Sequence, residues 1–246
     1  MSLVRLFPTF QKYESISSDE QSWIIAKEYG ICNGWRVNFA IDSSGKSFGE
    51  TGSSSDVSSD LDRLLLGKLR SMADVIVTSG KTARLEKYRS SKHAPIAIFT
   101  SSGDLDSVPA IQGTQYFTPL VITPLSKVDQ VEQNLSDVDV KILAYPGSEN
   151  QPGWATSIAE VIHSEGYQSP ILESGHTTLR QFMSEHVIDE ICLSVTHPRS
   201  TGVSARDLGA SRISQLFGSI RGYELLQLFT DGQTTFSRWR RGSLAT

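Results

Sequence analysis

The order of apolar and polar positions divides the chain into a short first segment and a long alternation of strands and helices. Ser18, followed three residues later by Gln21 ahead of Trp23-Ile24-Ile25-Ala26, carries the pattern of a helix start, and Gly30 supplies a stop. Residues 1–34 are therefore expected to form a helical N-terminal arm. Trp35, Val37, Phe39 and Ile41 then alternate with Arg36, Asn38, Ala40 and Asp42, the period of a strand with two unlike faces. Ser43 to Asp56 is rich in Ser and Gly and reads as a loop long enough to serve as a lid or cleft edge. A cap at Ser58 or Ser59, acids at Asp60 and Asp62, and Leu61, Leu64, Leu65, Leu69 and Met72 at helical spacing predict an amphipathic helix packed on a sheet.

Short apolar runs follow at Asp74–Thr78, Pro95–Phe99, Pro119–Ile122, Val140–Ala144 and Pro170–Leu172, several without polar alternation. Strands covered on both faces, and hence parallel, account for that pattern. Helices are expected between them, among them Lys127–Leu135 and Trp154–Glu165, the latter with Trp154, Ile158 and Ile162 on one stripe. Near the end, Ile188–Thr196, Tyr223–Thr230 and Gln233–Trp239 read as strands, with Asp231-Gly232 turning the last two into a hairpin. Residues 35–246 thus read as one α/β domain, a mostly parallel sheet closed by an antiparallel C-terminal edge hairpin.

Composition narrows the chemistry. The 246 residues are 38% hydrophobic, which excludes a disordered chain, and a net charge of −4 lacks the basic field of a general nucleic-acid binder. No run reaches the roughly 20 apolar residues of a membrane span, so a cytoplasmic protein is expected. Cys32 and Cys192 stand alone, and the five histidines lack a metal-ligand spacing, so no metal is expected.

Two strand-to-helix junctions, Val77-Thr78-Ser79-Gly80-Lys81-Thr82 and Ile171-Leu172-Glu173-Ser174-Gly175-His176, put small residues at the carboxyl ends of strands, where open α/β sheets take ligands. The second leads into a helix whose free amides favour phosphate. Gly80-Lys81-Thr82 is not a Walker loop, because position 75 is Val where that motif needs Gly. Taken alone, each turn is equally what a tight structural connection requires.

The order of four segments resembles the reductase domain of bacterial riboflavin biosynthesis, a family with the dihydrofolate reductase fold. Asn38-Phe39-Ala40-Ile41-Asp42-Ser43-Ser44-Gly45 is similar to its first strand and turn. Ser58 to Arg70 with Ala73-Asp74-Val75-Ile76-Val77 resembles its second helix and strand. Gly80-Lys81-Thr82-Ala83-Arg84-Leu85-Glu86-Lys87-Tyr88 is similar to its Gly-x-Thr-x-Arg-x-Glu-x-Tyr signature. Glu173-Ser174-Gly175 and Ile188-Asp189-Glu190 resemble its Glu-Gly-Gly turn and Val-Asp-Glu strand.

The resemblance implies a three-layer α/β/α domain that uses NADPH to reduce the opened ribose of a phosphoribosylamino-pyrimidine to a ribityl chain. Such chemistry takes its hydride from the cofactor, so no catalytic side chain is expected; the protein binds, orients and excludes water. By the same resemblance Gly80, Thr82, Ser174 and Gly175 line the cofactor, and Thr100 and Ser101 face the phosphate of its adenosine ribose. Asn38, Asp42, Arg84 and Glu86 face the phosphorylated substrate. Beside this stand plainer roles: Asn38 and Asp42 as a strand end and turn, Arg84 and Glu86 as a solvated helix face, Tyr88 and His176 as structural residues, and Arg238, Arg240 and Arg241 as a solvated strand end.

Five positions depart from the family pattern: Asp42 and Ser44 exchange the usual Ser and Asp, Ser174 replaces the first Gly of the Gly-Gly pair, and Thr78-Ser79 precedes Gly80 where Val-Gly is more typical. The zinc deaminase signature that often precedes such a domain is missing, so a separate deaminase chain is expected. The resemblance and the apolar hairpin Tyr223–Trp239 together suggest a homodimer. A dihydrofolate-type pterin reductase and a non-catalytic NADPH-binding homologue remain the alternative activities.

Overall fold

The computed structural model describes residues 2–47, 54–149, 151–197 and 222–242; Gly49, Gly52 and Ser53 of the Ser- and Gly-rich loop lie outside the described residues. In chain order the elements are β1 (Leu3–Phe7), β2 (Gln11–Tyr13), α1 (Ser18–Tyr29), β3 (Trp35–Asp42), α2 (Asp60–Arg70), β4 (Val75–Ser79) and α3 (Gly80–Leu85). There follow β5 (Ile96–Phe99), α4 (Pro109–Gln112), β6 (Leu120–Pro124), α5 (Val128–Asn134), β7 (Lys141–Tyr145) and α6 (Trp154–Ser164). The chain closes with β8 (Pro170–Leu172), α7 (His176–Ser184), β9 (Ile188–Thr196), β10 (Tyr223–Thr230) and β11 (Thr234–Arg241). Two compact units result, one of Met1–Cys32, Arg36–Met72 and Ile188–Thr246, the other of Asn33–Trp35 and Ala73–Val187. Among the described residues no helix is long and apolar enough to cross a membrane.

The first unit orders its strands β2-β1-β10-β11-β9-β3. Pairing is antiparallel from β2 through to β9. Asp231 closes the expected hairpin: its Oδ1 accepts from the amides of Gln233 at 2.8 Å and Thr234 at 2.7 Å. That hairpin is flanked by β1 and β9, and the strand at the end of the order is β2.

The arm read from the sequence as helical begins instead with the two strands β1 and β2. Leu3-Val4-Arg5-Leu6-Phe7 is too short and too mixed to announce a strand, and its conformation is set by pairing with β10 and by complete burial of Leu3. The helix of the arm is present, but its cap is Ser17 rather than Ser18. Ser17 Oγ accepts the Glu20 amide at 3.2 Å and the Glu20 carboxylate accepts the Ser17 amide at 2.8 Å, a capping box in which an ionised acceptor outcompetes the Gln21 amide. In α2 the cap is Ser59, and Leu61, Leu65 and Leu69 form the buried stripe.

The second unit is parallel throughout, in the order β8-β4-β5-β6-β7. The apolar runs of β4, β5 and β6 are buried on both faces, as their unbroken hydrophobicity requires, whereas β7, last in the order, exposes Lys141 and Ala144. Aromatic rings fill the space between sheet and helices: Trp154 lies edge-on to Phe99 at 5.4 Å and to Phe182 at 5.7 Å, and its indole N–H donates to Tyr145 Oη at 2.9 Å. The α/β class is the one expected, with parallel strands, antiparallel strands toward one end of the strand order and flanking helices.

One expectation fails in the first unit: Arg238 is not part of a solvated strand end, and Arg36 on β3 is buried together with it. They are 6% and 3% exposed because both grip the 1%-exposed carboxylate of Glu190. Arg36 Nη2 donates to Glu190 Oε2 at 2.8 Å, Arg238 Nη2 to Oε1 at 2.5 Å, and the more exposed Arg240 adds its Nε at 2.8 Å. The surplus positive charge meets the carbonyl end of α1: Arg36 donates to Gly30 O at 2.8 Å and Tyr29 O at 3.3 Å, and Arg238 to Glu28 O at 3.3 Å. Burial by itself would raise the Glu190 carboxyl; the guanidinium of Arg238, with Arg36 and Arg240, overrides it and holds the group at about 2.

Because the folded value lies below the ordinary 4.5, this carboxylate contributes stability that is complete above about pH 4.5 and is lost as the pH falls through about 2. Glu190→Gln leaves two buried guanidinium groups without their anion and is expected to cost about 3–5 kcal/mol at pH 7. Urea denaturation of both proteins from pH 7 to pH 2 checks this, with the difference between them shrinking toward the acid end.

Candidate functional site

Parallel pairing places the carboxyl ends of β8, β4 and β5 side by side on one edge of the second unit. At the end of β4, Ser79 caps α3: its Oγ accepts the Thr82 amide at 3.1 Å and donates to Thr82 Oγ1 at 2.9 Å. Gly80 follows at a close approach, since a Cβ there would lie 3.2 Å from Thr100 Cβ and 3.3 Å from its Oγ1. Thr100 in turn organises the end of β5, its hydroxyl accepting the amides of Ser102 and Gly103, both at 3.3 Å.

At the end of β8 the Glu173 amide donates to Val77 O at 2.8 Å, fixing the next two residues beside β4. Ser174 is 7% exposed and its hydroxyl lies 3.4 Å from Thr82 Oγ1. The extra Cβ and hydroxyl at this position are thus accommodated within the protein, against Thr82. Gly175 caps α7 with no side-chain hydrogen bond, at φ −65°, and a Cβ there would meet nothing within 4 Å. Neither backbone conformation nor packing requires glycine at 175. What the position offers is an open approach to the first amides of a nine-residue helix, which carry partial positive charge.

Gly80 with Thr100, and Thr82 with Ser174, are therefore brought into contact, and Gly175 adjoins them in sequence. Other candidates are occupied differently. Ser101 donates to the Glu149 carboxylate at 3.1 Å. Arg84 Nη1 donates to the Asp104 carbonyl at 2.5 Å and lies 3.6 Å from its carboxylate, so it braces the turn that Thr100 begins. Glu86 is the half-buried C-cap of α3.

Asn38 and Asp42 belong to the first unit, four residues apart on one face of β3. Asn38 is buried, and its Oδ1 has no hydrogen-bond partner among the described residues. Asp42 Oδ1 accepts from the Ser44 amide at 2.8 Å, the Ser44 hydroxyl at 2.6 Å and the Lys46 amide at 2.9 Å. Burial is the largest single influence and raises that carboxyl, but these donors together outweigh it and the net shift is downward. The exchange of Ser and Asp along the turn is thus coupled: Asp42 holds the turn in which Ser44 lies.

One feature of this edge escaped the sequence reading. Tyr88 donates its phenol to Glu173 Oε2 at 2.6 Å, across 85 residues. Both lie within the motifs quoted above, but no spacing links them, because the contact depends on β4 and β8 being neighbours.

Residues 36–211 match the family model of the RibD C-terminal domain. The chain belongs to that family. Among solved structures, this RibD C-terminal domain is similar to a pyrimidine reductase-like protein from Corynebacterium diphtheriae, with 22% identity, 93% of this chain and 100% of that one covered, and a TM-score of 0.62. It is also similar to RibD of Acinetobacter baumannii, at 18% identity and TM-score 0.60, with 90% of this chain but only 61% of that one covered. The riboflavin biosynthesis reductase Rib7 of Saccharomyces cerevisiae matches at 12% identity and TM-score 0.58, covering 85% of this chain and 90% of that one. At these identities the structures establish the shared fold. No curated protein matches the chain.

The two glycines of this RibD C-terminal domain are expected to respond oppositely to one added methyl group. Gly80→Ala forces a Cβ against Thr100 and costs about 1–3 kcal/mol. Gly175→Ala enters open space and changes stability by about 0.5 kcal/mol or less. Thermal and urea denaturation of the two variants distinguish them directly.

Proposed function

We propose that the chain is an NADPH-dependent reductase of riboflavin biosynthesis. On this reading it reduces the ribose of 5-amino-6-(5-phosphoribosylamino)uracil, or of its diamino-pyrimidinone analogue, to a ribityl chain, as a cytoplasmic homodimer. The observation that carries the cofactor half is the pairing of uncapped α7 amides with open space at Gly175, beside the Ser79–Thr82 turn. Membership of the RibD C-terminal domain family supports the substrate half.

The residues present fit a dinucleotide. Gly175 and the first amides of α7 hold a pyrophosphate, Gly80 and Thr82 line its flank, and Ser174 keeps its hydroxyl turned to Thr82, clear of the ligand face. NADPH bound there supplies the hydride that reduces the ribose carbon. The chain's own task is to hold substrate and cofactor in register and keep water out. Asn38, Asp42, Arg84 and Glu86 are the substrate-facing candidates. Asn38 is the strongest, because a buried amide oxygen lacking a partner gains most from a ligand N–H or O–H. Arg84 and Asp42 each already serve a turn of the protein.

Purified protein is expected to oxidise NADPH in the presence of the phosphoribosylamino-pyrimidine and not with dihydrofolate. Gly175→Ala, folded as the wild type is, should weaken NADPH binding by at least about tenfold, ~1.4 kcal/mol. NADPH binding without turnover on either substrate would point to the non-catalytic homologue instead, and absence of binding at high micromolar NADPH would sink the reading.

A further inference from the structure

The backbone that carries Tyr88 is strained and then fixed. The reversal after α3 passes through Lys87 in the left-handed region, at φ 47°, where glycine is the usual residue. It is closed by the Lys87 amide on Arg84 O at 3.3 Å and the Tyr88 amide on Ala83 O at 3.0 Å, and the Tyr88 carbonyl accepts the Ala110 amide at 2.7 Å. Held from both sides, Tyr88 donates its phenol to the 6%-exposed carboxylate of Glu173 at 2.6 Å. A charge-assisted bond of this length sets the orientation of that carboxylate at the end of β8.

Thr78 stands beside it. Ile76 pairs with Ile171 and Val77 with Leu172, and the Glu173 amide continues the ladder to Val77 O. Thr78 and Glu173 are therefore the next pair on the face that Ile76 and Ile171 share, on strands about 4.8 Å apart. Thr78 is fully buried, and its hydroxyl has no hydrogen-bond partner among the described residues. Buried polar groups are ordinarily paired, so an unpaired hydroxyl beside a carboxylate held in place marks a polar set that something other than the chain completes. The Val more typical of the family at this position would add no such group.

The missing group has a definite chemistry. Thr78 offers a donor, and a carboxylate accepts about four hydrogen bonds, of which Tyr88 uses one. A hydroxyl accepts from the first and donates to the second, whereas an ionised phosphate only accepts and a ring N–H only donates. The opened ribose of a phosphoribosylamino-pyrimidine carries several hydroxyls, and the ring of a dihydropterin carries none. Resting on the reductase reading above, we infer that Thr78 and Tyr88 set the specificity for a hydroxyl-bearing chain. Thr78 donates to a hydroxyl of the substrate's ribose, Glu173 accepts from that hydroxyl, and Tyr88 is the positioning residue that aims Glu173.

The test is steady-state NADPH oxidation with the phosphoribosylamino-pyrimidine, beside equilibrium titration with NADPH and thermal denaturation, for wild type, T78V, T78S, Y88F, E173Q and Y88F/E173Q. T78V is expected to raise KM for the pyrimidine about tenfold, while T78S, which keeps the donor, stays within about twofold of wild type. Y88F is expected to lower kcat/KM about tenfold in wild type and less than about twofold in the E173Q background, because its effect passes through that carboxylate. NADPH affinity is expected to stay the same in T78V and Y88F. The inference is overturned if T78V leaves KM unchanged, as a water filling the gap would, or if T78S loses as much as T78V. It is equally overturned if Y88F costs the same with and without Glu173; where E173Q is too slow to measure, the two Thr78 variants decide it. Wild type that does not turn over the pyrimidine would instead remove the reductase reading, and this inference with it.

Discussion

Parallel pairing is the constraint on which the candidate site depends. In β8-β4-β5-β6-β7 each strand is reached by a crossover that returns the chain to the same starting edge, so the carboxyl ends all emerge together. The turns that follow are then neighbours whatever their separation in sequence. Ser174 meets Thr82 and Gly80 meets Thr100 for that reason alone. Small side chains at these ends let the turns approach, and the backbone amides left over at α7 form a surface for an anion without any charged side chain.

The first unit is organised by a different interaction, one buried carboxylate shared by three guanidinium groups. Desolvating Glu190, Arg36 and Arg238 is expensive, and the arrangement is tolerable only because each donor has a partner. One carboxylate cannot neutralise the arginines around it, and the carbonyls at the end of α1 complete the set. The helix of the N-terminal arm is consequently fastened to β3 and β11 through its own dipole. Asp62, in the same unit, shows the opposite balance: burial dominates, the hydroxyls of Ser194 and Ser58 only partly offset it, and its carboxyl lies above the ordinary value.

Most of the fold was legible because its strands are either unbroken apolar runs or clean alternations. Ile188–Thr196 and Tyr223–Thr230 have the boundaries that pattern predicts. The failures are instructive in kind. β1 is specified by pairing with β10, a contact more than two hundred residues away, and β2 by pairing with β1, and local pattern carries no trace of the first. Arg36 and Arg238 look like surface residues because charge ordinarily implies solvent, and only Glu190, distant from Arg36 in sequence, reverses the inference.

The site was legible in an uneven way for a related reason. Charged residues draw notice in a sequence, yet Asp42 is occupied by its own turn, Arg84 by Asp104 and Ser101 by Glu149. The positions that shape the open edge are a glycine with no internal reason to be one, a serine turned toward a threonine, and amides that belong to no side chain. A cofactor that brings its own hydride asks for shape and amide donors more than for acids and bases. Gly80 and Gly175 separate the two meanings of glycine that sequence alone merges: the first is demanded by Thr100 inside the protein, and the second, with nothing of the protein against it, is left open for what binds there.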